Sequence, residues 1–360
     1  MTVPTNPQGT VSSPVAEDTA SGAVSGEHTK DSLGIRALIF ARDRGIVMLW
    51  VVLIIAFSFW ASPFFAKWGN AILIANAAAL TAVYAAGVAA GMFSGALDIS
   101  IPGVAALAAV VCGKLLVGHN PVWLGIVVAL IIGVVAGIAN GLIALRGFNP
   151  LIVTIGTLSV TSGLAAVVAG GYTIPGLTQL AFMGTRKYAG LPAPVWIVII
   201  LYIVLTLFVT QTRDGIRFMA VGGNKEAVRR SGIHSDRYRV MGFVISSFCA
   251  ALGGLITTAL VSEANPAPDV SIIFTALTAV ALAGVAFTGG RGSLPRVLVG
   301  ALILATISNA LTIKGIQPYW GTIVTGLLLL GALGMEKTVE ASVSRRLMSA
   351  AQASVHSGKK

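Results

Sequence analysis

Apolar residues run almost unbroken in stretches of 17 to 24, separated by short polar segments, from position 46 to position 335. The runs are 46–62, 71–94, 101–118, 122–145, 151–169, 194–211, 240–261, 271–288, 296–313 and 319–335. About 20 mostly apolar residues are enough for a helix to cross a bilayer. The pattern therefore predicts an all-α polytopic membrane protein with about ten transmembrane helices and both termini on the same side. The break between the second and third runs is the weakest, because no charged loop separates them. Glycines recur at every fourth position in two runs, Gly87/Gly91/Gly95 and Gly133/Gly137/Gly141. Such stripes let a neighbouring helix backbone approach closely, and helix packing accounts for them without a substrate role.

The polar segments complete the domain plan. Residues 1–30 are rich in Ser, Thr, Gly, Pro, Val and Glu without an apolar core, and read as a disordered cytoplasmic tail. Residues 31–45 alternate Leu33, Leu38, Ile39 and Phe40 with Arg36, Arg42 and Arg44. They read either as a helix lying on the inner membrane surface or as an extension of the first span. The membrane region covers 46–335 and includes one long charged loop, 212–239; a second tail covers 336–360.

Charge sets the orientation. With the N-terminus inside, nineteen of the 24 Lys and Arg fall on the inner side, seven of them in 212–239. The remaining five are Lys67, Lys114, Arg186, Lys187 and Lys314. Lys and Arg concentrate in cytoplasmic loops, so both termini are expected in the cytoplasm. Trp60, Trp68, Trp123, Trp196 and Trp320 all fall at expected outer boundaries, where indole rings anchor at the headgroups. The same rule accounts for the net charge of +11, which is no sign of nucleic-acid binding. Only 10% of residues are charged and mean hydropathy is +0.88, as in a protein embedded in lipid. Cys112 and Cys249 lie inside apolar runs and are expected as free thiols.

Coupling chemistry is sparse. A proton- or sodium-driven transporter needs interacting ionisable groups inside the membrane. Of the 13 acidic residues, all but Asp98 map to tails, loops or span ends. The chain contains no HExxH and no GxxxxGK[ST], so neither zinc-protease chemistry nor a P-loop of its own is indicated. No catalytic residues, metal ligands or cofactor of its own are expected. Such a chain is either a passive facilitator or one subunit of a machine driven from outside.

Gly222 to Ile233, reading GGNKEAVRRSGI, favours the second reading. Asn224 is a good N-cap and Gly232 a good C′ residue for a helix of about two turns. Glu226 sits near its N-terminus and Arg229 and Arg230 near its C-terminus, as the helix dipole favours. A short capped helix offered to the cytoplasm is a part for a partner to hold; a basic loop resting on anionic lipid is the alternative.

Asp98 needs a partner, because a charge in the bilayer core costs about 2.5–3.5 kcal/mol even on the mildest scale. Either Asp98 or Ser100 caps a helix starting near Ile101, with Pro102 in its first turn, or the segment is a break that shapes or gates the path. The two roles are compatible. Asn76, Asn140, Thr154, Thr157, Ser159, Ser308 and Asn309 are candidates for lining a polar path, or for hydrogen bonding between helices. In the long outer loop 170–193, Arg186–Lys187 is either a contact for an acidic partner or a solvated pair.

Four segments taken together carry a family resemblance: GALDIS at 95–100, NPLIVTIGT at 149–157, GGNKEAVRRSGI at 222–233 and AVALAGVAFTGGRGSLPRVLVGALI at 279–303. Their order and spacing resemble the membrane permease subunits of ribose-, xylose- and galactose-type bacterial ABC importers. The resemblance implies an inner-membrane permease that pairs with a second copy of itself. It also implies a cytoplasmic ATPase that binds the ATP, and a periplasmic or extracellular solute-binding protein that delivers a sugar or related polyol. Carried onto this chain, Asn224, Glu226, Ala227, Arg229 and Gly232 match the family's coupling helix. Asp98, Ser100, Asn76, Thr157 and Asn309 are the candidates for path or gate. Ala96, Pro102, Ile272–Phe274, Ala283 and Val285–Phe287 depart from the family pattern, which leaves the solute open. The alternatives are the permease of a branched-chain amino acid or nucleoside importer, and a self-sufficient polyol facilitator.

Overall fold

In lipid every backbone N–H and C=O must find a partner within the chain, and a helix does this within one segment. The computed structural model describes residues 45–334, so the expected tails at 1–30 and 336–360, and all but the last residue of the 31–45 segment, lie outside the described residues. Every predicted apolar run falls on a helix. Six of these are long and apolar enough to cross a membrane: α2 (Trp68–Phe93), α4 (Val122–Leu145), α5 (Pro150–Ala169), α7 (Ala193–Gln211), α10 (Ser235–Val261) and α12 (Leu294–Ile313). Four apolar helices are shorter: α1 (Gly45–Trp60), α3 (Ile101–Val117), α11 (Ser271–Leu282) and α13 (Pro318–Gly334). The remaining helices are α6 (Ala181–Gly184), α8 (Arg213–Gly223) and α9 (Lys225–Arg230).

Local sequence explains where helices start and stop. Proline stands in the first turn of α3, α5, α7 and α12, where its missing N–H costs nothing. Asn149 caps α5 by accepting from the Leu151 amide at 2.9 Å, and Gly170 ends that helix in the left-handed conformation. Both α3 and α12 begin with Ser, one apolar residue, then Pro: Ser100-Ile101-Pro102 and Ser293-Leu294-Pro295.

The eighth predicted run, 271–288, requires correction. Helix α11 stops at Leu282 after 12 residues, about 18 Å at the usual rise. Gly284 then adopts φ +68°, and residues 283–293 continue as irregular chain. Hydropathy alone carries the run past this point, because Ala283, Val285, Ala286 and Phe287 are apolar; Gly284 turns the chain. The 170–193 loop also has more structure than expected. Strand β1 (Ile174–Pro175) pairs antiparallel with β4 (Glu263–Ala264), and β2 (Lys187–Tyr188) with β3 (Leu191–Pro192).

Helix α10 is the hub. In its most apolar stretch 61% of residues are buried, against 17% for α5. The glycine stripe of α4 lies on it: a methyl group at Gly133, Gly137 or Gly141 would meet the backbone of Ser247, Val244 or Val240 at 2.6, 2.5 and 2.9 Å. Gly87 of α2 faces the carbonyl of Ser246 and the Cys249 side chain, each 2.9 Å from such a methyl. On its own side α10 presents Gly253 to the Tyr84 ring and Gly254 to the Ala105 carbonyl of α3. Gly137→Ala is expected to lower thermal stability in detergent by about 1–3 kcal/mol through overpacking. Gly163→Ala on α5, with open space around the new methyl, is expected not to lower it. Unfolding midpoints of the two purified variants check this.

Candidate functional site

The site is built around Asp98, in the 94–100 turn between α2 and α3. Its side chain is fully buried. Oδ1 accepts from the Ser100 amide at 2.8 Å and from the Ser100 hydroxyl at 2.5 Å, and Oδ2 accepts from the Ser247 hydroxyl of α10 at 3.1 Å. The chain of donors continues outward. Asn140 Nδ2 on α4 donates to Ser100 Oγ at 3.0 Å, and Thr157 Oγ1 on α5 donates to Asn140 Oδ1 at 2.5 Å. A relay thus runs Thr157, Asn140, Ser100, Asp98, Ser247 and joins α5, α4, α3 and α10. No ion pair among the described residues includes Asp98. Neutral donors and the N-terminal end of α3 surround the carboxyl instead.

Of the two candidate caps, Asp98 holds the turn. Ser100 occupies the N-cap position, but its side chain makes no cap bond to the helix; it is taken up by Asp98 and Asn140. Asp98 and Ser100, expected at one helix start, and Asn140 and Thr157, conspicuous in other apolar runs, come together in the structure. Ser247 does not stand out in the sequence, since a Ser-Ser pair inside an apolar helix carries no mark of its partner.

Asn76 on α2 and Asn309 on α12 stand apart from this cluster. Each has a buried side-chain carbonyl oxygen without a hydrogen-bond partner among the described residues. Thr154 and Ser159 bond back to carbonyls of their own helix, at Pro150 and Ile155. Ser308 lines a cavity of about 350 Å³ bounded by α2, α11, α12 and α13, together with Thr81, Thr275, Thr322 and Thr325.

The charged loop 212–239 contains two helices where one was expected. Thr212 caps α8 by accepting from the Gly215 amide at 2.9 Å, a Thr-x-x-Gly start that the sequence reading passed over. Gly222 and Gly223 close α8 and do not open the next helix. Helix α9 runs six residues from Lys225 to Arg230, close to the two turns expected. Its capping is as read: Asn224 accepts from the Ala227 amide at 2.9 Å and Gly232 takes φ +78°. Glu226 pairs with Arg229 at 3.2 Å and Arg230 at 3.4 Å. No α9 side chain is buried. Such exposed pairs contribute under about 1 kcal/mol each, so α9 is held in place by its capped ends and by Val228, which packs half-buried against the main core. Lys225 bridges to Asp236 of α10 at 2.8 Å, and Tyr238 donates to Asp214 of α8 at 2.6 Å.

A mainly helical membrane chain with a buried polar relay and an exposed capped helix between two spans has the parts of a transport subunit. Comparison with known proteins agrees. A family model described as the permease component of the branched-chain amino acid transport system matches residues 70–333. The L-arabinose transport system permease protein of Escherichia coli is 31% identical over 292 residues, 80% of this chain and 88% of that protein. The ribose import permease proteins of Haemophilus influenzae and Bacillus subtilis are 31% and 32% identical, over 79% and 77% of this chain and 90% and 87% of theirs. No solved structure matches the chain. The chain belongs to this family of importer permeases, and is a multi-pass protein of the bacterial inner membrane.

Asp98→Ala strips the acceptor from the Ser100 amide and from the Ser100 and Ser247 hydroxyls, and an unmet buried donor costs about 1–3 kcal/mol. Asp98→Asn keeps one acceptor. The expected order of thermal midpoints is wild type, then Asp98→Asn, then Asp98→Ala. Equal midpoints for all three would show that the relay carries no stability.

Proposed function

We propose that this chain is the membrane subunit of an ATP-driven importer for a sugar or related polyol. The chain makes ten membrane passes, the eighth by the short α11 together with the 283–293 segment; both termini lie in the cytoplasm, and two copies enclose the translocation path. A separate cytoplasmic ATPase binds and hydrolyses ATP, and a solute-binding protein delivers the cargo outside. The chain itself binds no cofactor. The sugars named for the relatives favour a sugar over an amino acid as cargo: arabinose, ribose and, at 27% identity over 84% of this chain, D-allose. Surrounding lipid is the medium of the spans and neutralises the basic inner loops.

The observation that carries the reading is α9. A six-residue helix capped at both ends, with only Val228 resting half-buried on the core, is held rigid while most of its surface stays open. In this reading Asn224, Glu226, Ala227, Arg229 and Gly232 form the part that seats in the ATPase. Asp98, Ser100 and Thr157 hold the break that gates the path. The unpartnered carbonyls of Asn76 and Asn309 offer acceptors to a hydroxylated solute. Five helix-end tryptophans, all at least 37% exposed, suit anchoring at the outer headgroups.

Ala227→Pro tests it. Proline lacks the amide that Asn224 caps and so disrupts α9 at its first turn. The expected outcome is loss of ATPase co-purification with an unchanged thermal midpoint of the membrane region. Retained ATPase binding with normal ATP-dependent uptake would refute the docking role. Uptake in vesicles lacking any ATPase would favour the facilitator instead. Calorimetry of the binding protein with pentoses, hexoses and polyols identifies the cargo class.

A further inference from the structure

Three distant segments meet backbone on backbone directly behind α9, and glycine makes the meeting sterically feasible. The last turn of α8 supplies Gly222 and Gly223, the end of α2 supplies Phe93, and the irregular 283–293 segment supplies Gly289 and Gly290. A methyl group at Gly222 would fall on the Phe93 carbonyl oxygen and lie 2.7 Å from the Gly290 nitrogen. One at Gly289 would lie 2.8 Å from the Gly222 oxygen and 3.0 Å from the Met92 oxygen, and one at Gly290 would lie 2.5 Å from the Gly223 Cα. The Gly290 amide donates to the Phe93 carbonyl at 3.3 Å, which ties two of the three segments together. Beneath them Phe93, Phe218 and Val221 are all buried.

Asn224 alone separates this junction from α9. It is the last cap of α8, its amide donating to the Ala220 carbonyl at 3.0 Å, and the first cap of α9. With no slack on either side, a displacement of α9 moves Gly222–Gly223. Those residues bear on Phe93, and five residues beyond Phe93 stands Asp98. The 283–293 segment, which leads into α12, is pushed at the same point. No flexible side chain lies between to absorb the movement.

We infer that Gly222, Gly289 and Gly290 are positioning residues. They pass load from α9 to the Asp98 turn and to the 283–293 segment together, so that the breaks before α3 and α12 move in concert. The inference rests on the reading of α9 as the ATPase seat. Its test is hydrogen exchange at residues 93–100 and 284–292 in the full permease–ATPase complex, nucleotide-free and trapped with ATP and vanadate. In the unmodified complex trapping is expected to change exchange at both segments by about tenfold, the scale of coupling through packed networks. Gly222→Ala, and separately two glycines inserted after Gly223, should keep the ATPase bound and hydrolysing ATP while abolishing that response. The insertion leaves every junction contact intact and decides the matter if Gly222→Ala fails to accumulate. A response that persists in the insertion variant, or is absent from the unmodified complex, overturns the inference. Failure of the unmodified chain to bind the ATPase overturns the α9 reading itself, and this inference with it.

Discussion

A backbone can lie against another backbone only where no side chain intervenes, and this chain is organised by that constraint. Helix α10 receives α4 through Gly133, Gly137 and Gly141, α2 through Gly87, and α3 through its own Gly254. Lipid is as apolar as leucine, so burying apolar side chains draws helices together only weakly; close van der Waals packing and interhelical hydrogen bonds must do it. With α2, α3 and α4 all held to one axis, the side chains at the contacts are placed to within hydrogen-bonding reach. Ser247 reaches Asp98, and Asn140 reaches Ser100, because the backbones that carry them are close.

The buried carboxylate follows from that packing. Asp98 is affordable inside the membrane region because donors from its own turn and from α10 converge on it, and the N-terminus of α3 points at it. The relay beyond it reaches Thr157 on α5, the least buried of the long helices. A polar line therefore connects the interior hub to a helix whose outward face is free to meet other molecules. The opposite side of the 94–100 turn rests on the glycine junction behind α9. The same short turn thus touches both the hydrogen-bonded interior and the charged loop.

Much of the helical plan was legible in the sequence, since unbroken apolar runs leave the backbone one economical choice in lipid. The α9 caps were legible too: Asn224 and Gly232 act locally, through bonds that span three residues or a single φ angle. What went unread was of two kinds. The end of α11 was hidden because hydropathy averages over Gly284, whose conformation breaks the helix. Helix α8 was hidden because a charged loop gives no apolar run, although Thr212 and the amphipathic stretch after it mark a start.

Partners across the chain lay beyond reading. Asp98, Ser100, Asn140 and Thr157 were each conspicuous as polar residues in apolar runs, but their order in one relay, and its end at Ser247, depend on helix rotation and spacing. Neither is encoded by a residue's neighbours in the chain. By itself the sequence determined that this is a helical membrane protein with a capped helix in its charged loop, because hydropathy and capping act over a few residues. Only the tertiary structure decided which helix is the hub, which groups satisfy Asp98 and what stands behind α9. Those depend on contacts 40 to 200 positions apart, formed where glycine lets two backbones touch.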